Sequence, residues 1–508
     1  MKTRFLATSL LASAMAITSW QSASATDWPM FGGSIANQSS TVGETTISPK
    51  NVSQLKVKWV AKTGGDVSAK AAVVNGVVYF PDWGGNLWAL NAATGKTIWH
   101  RQLSSYGLAA HTVARASPAV VNGILYIGTQ TGATMLAIDA ATGKLKWKTQ
   151  IDDHPLAVIT GSATVFAGRV FVGVTSLEEV TAFNASYKCC SFRGSLSAVN
   201  AKTGKIMWKT FTTPEGYNGS GVWGSNPVVN ATRKLVYVGT GNNYAQTKDP
   251  AFTNCINGGG SVSKCMSPDN HVDSLLAFDM ATGAIKWSKR FAVADDWNVG
   301  CFAGKPGTGN CPDKPGLDKD FGSGPNQFTI PGRGTVIGAG QKNGVYSVLD
   351  ADTGEKVWAR FVGPGSTLGG MEWGTATDGR RIYVAISNLD KRKYKAGDAG
   401  SWAALNKVTG EIEWQVPDPN GTVDIAPMSV SNGVVFAASM GTSAGQSNMF
   451  ALNAATGKTL WKFASGGSVN AGAVVSGGVV YWGSGYANLG IAEFKGNTKF
   501  YAFSIGGK

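Results

Sequence analysis

Glu178 and Glu179 follow an apolar run at 170–174, Asn242 and Asn243 follow another at 235–239, and Lys342 follows a third at 336–340. Trp223, Asp295 and Asp296 sit on links between such runs. A carboxylate and a carboxamide supply hard oxygen donors, which suit Ca²⁺ with its 6–8 oxygen ligands at about 2.3–2.6 Å. A lysine beside them can stabilise a developing oxyanion, and a second carboxylate can take a proton. Taken singly, a loop Glu is usually solvated and an Asn after Gly-Thr-Gly is usually a turn residue. Their meaning depends on whether the chain brings them to one place.

One repeat decides that. Leu87-Trp-Ala-Leu-Asn-Ala-Ala-Thr-Gly-Lys-Thr-Ile-Trp99 returns as Met135-Leu-Ala-Ile-Asp-Ala-Ala-Thr-Gly-Lys-Leu-Lys-Trp147, and further copies end at Trp208, Trp287, Trp358, Trp414 and Trp461. Period-two alternation around a Thr-Gly turn predicts a β-hairpin. One or two more apolar strands precede each copy, so each unit makes the four strands of a propeller blade. An eighth blade is split: Leu55-Lys-Val-Lys-Trp59 is a last strand without predecessors, and the C-terminus has predecessors without a last strand. Their pairing would close the ring and remove its edges. The expected fold is all-β, one eight-bladed propeller over 26–508, with the repeated Trp stacked between blades. The Thr-Gly turns then share one face, and every candidate residue above lies on the opposite face, at the mouth of the central channel.

Lys2 and Arg4, an apolar stretch at 5–17 and Ala23-Ser24-Ala25 read as a signal peptide over 1–25. The expected location is the periplasm, without a membrane anchor. The six Cys fall in neighbouring pairs, Cys189/Cys190, Cys255/Cys265 and Cys301/Cys311, within the three longest repeats. They fit local disulfides in an oxidising compartment and mark one elaborated sector. No Cys-x-x-Cys-His is present, which excludes that mode of haem attachment. Net charge is +14, but the basic residues are scattered and carry no nucleic-acid motif.

The Ala-x-Asn/Asp-x-x-Thr-Gly-x-x-x-Trp repeat resembles the tryptophan-docking motif of the quinoprotein alcohol dehydrogenases. Trp28-Pro-Met-Phe-Gly-Gly, Ser176-Leu-Glu-Glu179 and Cys189-Cys-Ser-Phe-Arg-Gly194 resemble the polyvinyl alcohol dehydrogenases within them. The resemblance covers essentially the whole mature chain and implies pyrroloquinoline quinone (PQQ) and Ca²⁺ as cofactors. It further implies Thr160 and Arg115 beside the quinone, Trp223 under its plane, Glu178 and Asn242 as Ca²⁺ ligands, and Lys342 at its reactive carbonyls. A vicinal Cys189–Cys190 bridge would cap the quinone; pairing of each with another Cys is the alternative. Where the family carries a catalytic Asp after Trp, this chain has Asp295-Asp-Trp-Asn298, and an amide cannot act as a base. Asp295, Asp296 or Glu179 is then expected to take the proton. The implied reaction is oxidation of an alcohol, small or polymeric, with a separate cytochrome c as electron acceptor. The alternatives are a non-enzymatic propeller scaffold, whose repeat would look the same, and a sugar or aldehyde dehydrogenase using the same cofactor.

Overall fold

The structure, a computed structural model, describes residues 27–508 apart from Val42, Ser225, Ser443 and Ala444. The signal peptide expected over 1–25 lies outside the described residues.

Eight sheets, each with four antiparallel strands, form the ring of a propeller, and Ser40–Thr41 adds in parallel to the edge of one of them. Blades 1 to 7 occupy residues 72–102, 119–150, 164–211, 228–290, 326–361, 376–417 and 429–463. Blade 8 takes residues 474–505 and borrows its outermost strand, Leu55–Lys62, from the other end of the chain. That strand runs antiparallel to Lys499–Ile505, with Leu55 opposite Ile505 and Trp59 opposite Ala502. The ring therefore closes as the repeat pattern predicts.

Each repeated Trp donates its indole N–H to a backbone carbonyl in the next blade. Trp99 reaches Ala140 at 2.8 Å, Trp147 reaches Ala201 at 3.0 Å and Trp414 reaches Ala454 at 3.0 Å. The turn glycine is required twice over. Gly143 has φ +70°, and a Cβ there would lie 2.9 Å from the Trp99 ring. Trp461 closes the seam on the Leu55 carbonyl at 3.0 Å, where no Thr-Gly turn exists.

Residues 28–41 form a strap across one end of the channel. Trp28 exchanges backbone hydrogen bonds with Val73 of blade 1, and Pro29 accepts from Val120 of blade 2. Ile35, Ala36, Gln38 and Ser39 accept from blades 4, 5, 6 and 7 in turn. Thr41 Oγ1 donates to Val475 O of blade 8. Met30 and Ile35 pack in the apolar cluster that holds Val165 of blade 3.

Above the strap, the inner strands turn two levels of side chains to the axis. Ser68, Arg115, Thr160, Glu372 and Asn470 stand four residues before the first paired residue of their blades. Lys70, Ser117, Ser162 and Pro427 stand two before it. Alternation along a strand separates the levels by roughly 6–7 Å.

Candidate active site

The links and loops of the face opposite the Thr-Gly turns enclose a cavity of about 170 Å³. Its wall includes Arg115, Thr160, Glu179, Trp223, Asp320, Lys342, Glu372 and Trp373. Five of these, Arg115, Thr160, Glu179, Trp223 and Lys342, are residues the sequence singles out.

Lys342 is the centre of a buried charge cluster. Its Nζ lies 2.7 Å from Asp318 Oδ1, 3.5 Å from Asp320 Oδ2 and 5.0 Å from the Trp223 ring. Burial alone would discharge the amine. The carboxylates of Asp318, Asp320, Glu372 and Glu179 outweigh that and hold it well above its usual range. Asp320 accepts from Asn242 N at 2.6 Å and from Trp223 Nε1 at 2.8 Å. The indole thus fixes the carboxylate while its own plane is set by that bond. Trp373 meets Trp223 edge-on at 5.3 Å, and the Arg115 guanidinium lies 4.1 Å over the Trp373 ring.

Burial pushes the acids up. Asp318 rises to about 7 and Glu372 to about 8, with Lys342 pulling each back. Glu179 is driven well above the carboxylate range, first by burial and then by Asp318. Four carboxylates face two cations here, so the cavity calls for protons or a cation. Asn242 Nδ2 is spent on the carbonyls of Asn243 and Trp297, which leaves its Oδ1 buried without a donor. Both carboxylate oxygens of Glu372 and Asp318 Oδ2 are likewise unpartnered. Unpaired buried oxygens of this kind are costly unless something fills the site. Among the described residues no three His, Cys, Asp or Glu side chains form a ready-made metal cage. A Ca²⁺ ion would take Asn242 Oδ1 and Glu179 together with oxygens brought by a bound ligand, and the donor set fits it.

Several expected residues stand elsewhere. Glu178 is buried, but its carboxylate accepts from Tyr187 O–H at 2.8 Å, Ser191 N at 2.8 Å and Phe192 N at 2.8 Å. It is committed to the cysteine loop, and its neighbour Glu179 is the one that faces the cavity. The short helix Glu178–Thr181 separates the two directions. Cys189 and Cys190 are bonded to each other, with a cis peptide between them. They pack with Phe192 and Tyr244 and neither lines the cavity. The other two pairs are the local bridges Cys255–Cys265 and Cys301–Cys311.

Asp295 is fully buried behind the cavity, where it accepts from the backbone N–H of Asp318 and Lys319 at 3.0 and 2.7 Å. It positions the loop that carries Asp318 and Asp320 and is not on the wall. Asp296 lines a separate cavity of about 300 Å³ with Phe252 and Met266. Asn298, in place of the family's Asp, donates to Tyr244 O and Asn310 O at 2.7 Å each and is a loop clamp. The carboxylates at the centre are Asp318 and Asp320, which sequence reasoning passed over. A signal existed: Asp318-Lys-Asp320 lies on the inter-blade link before residue 326, the same class of link that carries Trp223. Met371-Glu-Trp-Gly374 likewise echoes Val222-Trp-Gly224 and brings Glu372 and Trp373.

Known proteins share this fold, and two relatives above 30% identity define the family. A family model described as outer membrane protein assembly factor BamB matches residues 42–289 and 341–498. The crystal structure of a quinohemoprotein alcohol dehydrogenase from Comamonas testosteroni superposes with a TM-score of 0.71 at 20% identity, covering 95% of this chain and 81% of that one. A polyvinylalcohol dehydrogenase of a Pseudomonas species is 32% identical over 91% of this chain and 74% of its own length. One from Sphingopyxis sp. is 31% identical over 90% and 73%. The chain belongs to the PQQ-type quinoprotein alcohol dehydrogenases, in the group that holds the polyvinyl alcohol dehydrogenases. It is an oxidoreductase.

Proposed function

We propose that this protein oxidises secondary alcohols, including the repeated hydroxyls of polyvinyl alcohol, in the periplasm, with PQQ and Ca²⁺ as cofactors and a separate cytochrome c as electron acceptor. The observation that carries this reading is the buried Asp318–Lys342–Asp320–Trp223 cluster beside the orphaned Asn242 oxygen. No helix among the described residues is long and apolar enough to cross a membrane.

Arg115 and Thr160 would hold the quinone's polar edge, Trp223 its plane, and Glu179 with Asn242 the metal. The chemistry these groups supply when bound is two-electron acceptance and Lewis-acid polarisation. Asp320 is the wall carboxylate held against Lys342 and Trp223, raised by burial, and it takes the substrate hydroxyl proton. Lys342, kept charged by Asp318, stabilises negative charge developing above the Trp223 ring. Apolar Val158, Leu177, Leu368 and Leu489 complete the wall.

Reconstitution tests the reading. The purified protein receives PQQ and Ca²⁺ singly and together, and dye reduction is followed with 2-propanol and with polyvinyl alcohol. Turnover that needs both additions is expected. No turnover, and no quenching of tryptophan fluorescence by PQQ, would overturn it.

A further inference from the structure

Beneath the candidate active site lies a second axial cavity of about 30 Å³, and it shares Arg115, Thr160 and Trp373 with the first. That volume holds about two waters or one halide ion. Its wall contains no carboxylate among the described residues. Lys70 lies fully buried on it, with only neutral acceptors: Ser39 Oγ at 3.1 Å and Met428 O at 3.2 Å. The Trp28 and Phe31 rings lie 5.2 and 5.0 Å from the ammonium. A buried cation without a counter-charge is expensive.

The hydroxyls beside it are already used as acceptors. Ser68 Oγ receives Trp83 Nε1 at 2.8 Å, and Ser162 Oγ receives Ser117 N at 2.8 Å. Each therefore keeps its own O–H to donate. Cation, guanidinium and two free O–H donors around a small space are the complement of a small anion.

We propose that this lower cavity binds a monovalent anion, held by Lys70, Ser68 and Ser162 with Arg115 at its upper edge. The anion is either a free halide or a carboxylate projecting from a molecule seated in the cavity above. Burial holds the Lys70 amine down near about 7, so the anion binds together with a proton and its affinity falls as pH rises. Among the described residues Arg115 is the only other titratable group on this wall, and the strap, blade 7 and blade 8 present neutral groups to Lys70.

The test uses the cofactor-free protein. Melting temperature is compared in sodium bromide and in sodium sulfate at equal ionic strength, and bromide is located by anomalous scattering in soaked crystals. A bromide-specific rise of a few degrees is expected, lost in Lys70→Met and reduced in Ser162→Ala. The serine variant keeps the test alive should the lysine variant fail to fold. PQQ binding, read by fluorescence quenching, separates the sources. If saturating PQQ abolishes the bromide response and Lys70→Met weakens PQQ binding about tenfold or more, the anion is a carboxylate of that ligand. If the bromide response persists with PQQ bound, the anion is a free halide. No bromide response together with unchanged PQQ binding in Lys70→Met would overturn the proposal. Failure of PQQ to bind at all would count against the functional reading and leave the halide result standing.

Discussion

The two cavities on the propeller axis share three wall residues and differ in sign. The upper one gathers Glu179, Asp320 and Glu372 around Lys342 and Arg115, with Asp318 just behind, and it leaves acceptor oxygens unpaired. The lower one has Lys70, serine hydroxyls and the other side of Arg115, and no acid. The difference comes from the loops and links that bring Glu179, Asp320 and Lys342 to the upper cavity only, while Lys70 and Ser162, two residues before their first paired positions, reach only the lower one. A propeller thus stacks opposite electrostatic demands a few ångströms apart without any change of fold. What separates them is the Trp223–Trp373 pair and the Arg115 plane.

The sharpest break in the comparison falls on the upper acids. Asp320→Asn should lower kcat by about 10³-fold or more, with PQQ quenching retained; steady-state kinetics beside a binding titration checks it. Asn298→Asp tests whether the family's missing carboxylate matters. An aspartate there would face two carbonyls, so the expected result is no gain in activity and a loss of roughly 3 kcal/mol in stability, read by urea unfolding.

Neighbouring glutamates sharpen the assignment further. Glu179→Gln should weaken Ca²⁺ binding in the presence of PQQ. Glu178→Gln should leave it unchanged and cost about 2 kcal/mol through the 187–192 loop; calcium titration and thermal melts separate the two.

pH acts on the upper cavity in a fixed direction. Asp318 and Glu372 hold protons to about 7 and about 8 when folded, and the unfolded chain releases them near 4. The folded state then binds more protons, so stability of the metal-free protein falls as pH rises through that window. Ca²⁺ with PQQ should flatten the slope, and melts from acid to mildly alkaline pH will show it. The smallest effect belongs to the frame shared by both cavities: Trp99→Phe removes one bond to Ala140 and should cost about 1 kcal/mol.

The ring was legible because its signal repeats. Eight Trp and seven Thr-Gly turns each carry a local physical reason, the indole bond and the positive φ, so one copy explains the next. The face of the site was legible too, since hairpin geometry decides which loops share an end. The site itself was readable only in part. Glu178 and Glu179 are equivalent as letters, and only the helix beginning at Glu178 decides which carboxylate turns inward. Asp295, Asp296 and Asp318 look alike in a long link, and their roles depend on which backbone amides they meet. The cysteine pair was readable as a bond but not by what it packs against. Lys70 gave no sign at all, because nothing in Ser68-Ala-Lys-Ala71 announces that its strand position faces the axis.

The strap at residues 28–41 has a consequence for how the molecule comes into being. These residues precede every blade in the chain, yet their partners lie in blades 1 to 8. They are synthesised first and are the last to have a complete set of neighbours. The floor of the channel is therefore complete only once blade 8 stands beside blade 7 and offers Val475 O to Thr41. A chain cut before blade 8 would keep the strap's bonds to Val73 and Val120 and lose the one from Thr41 to Val475.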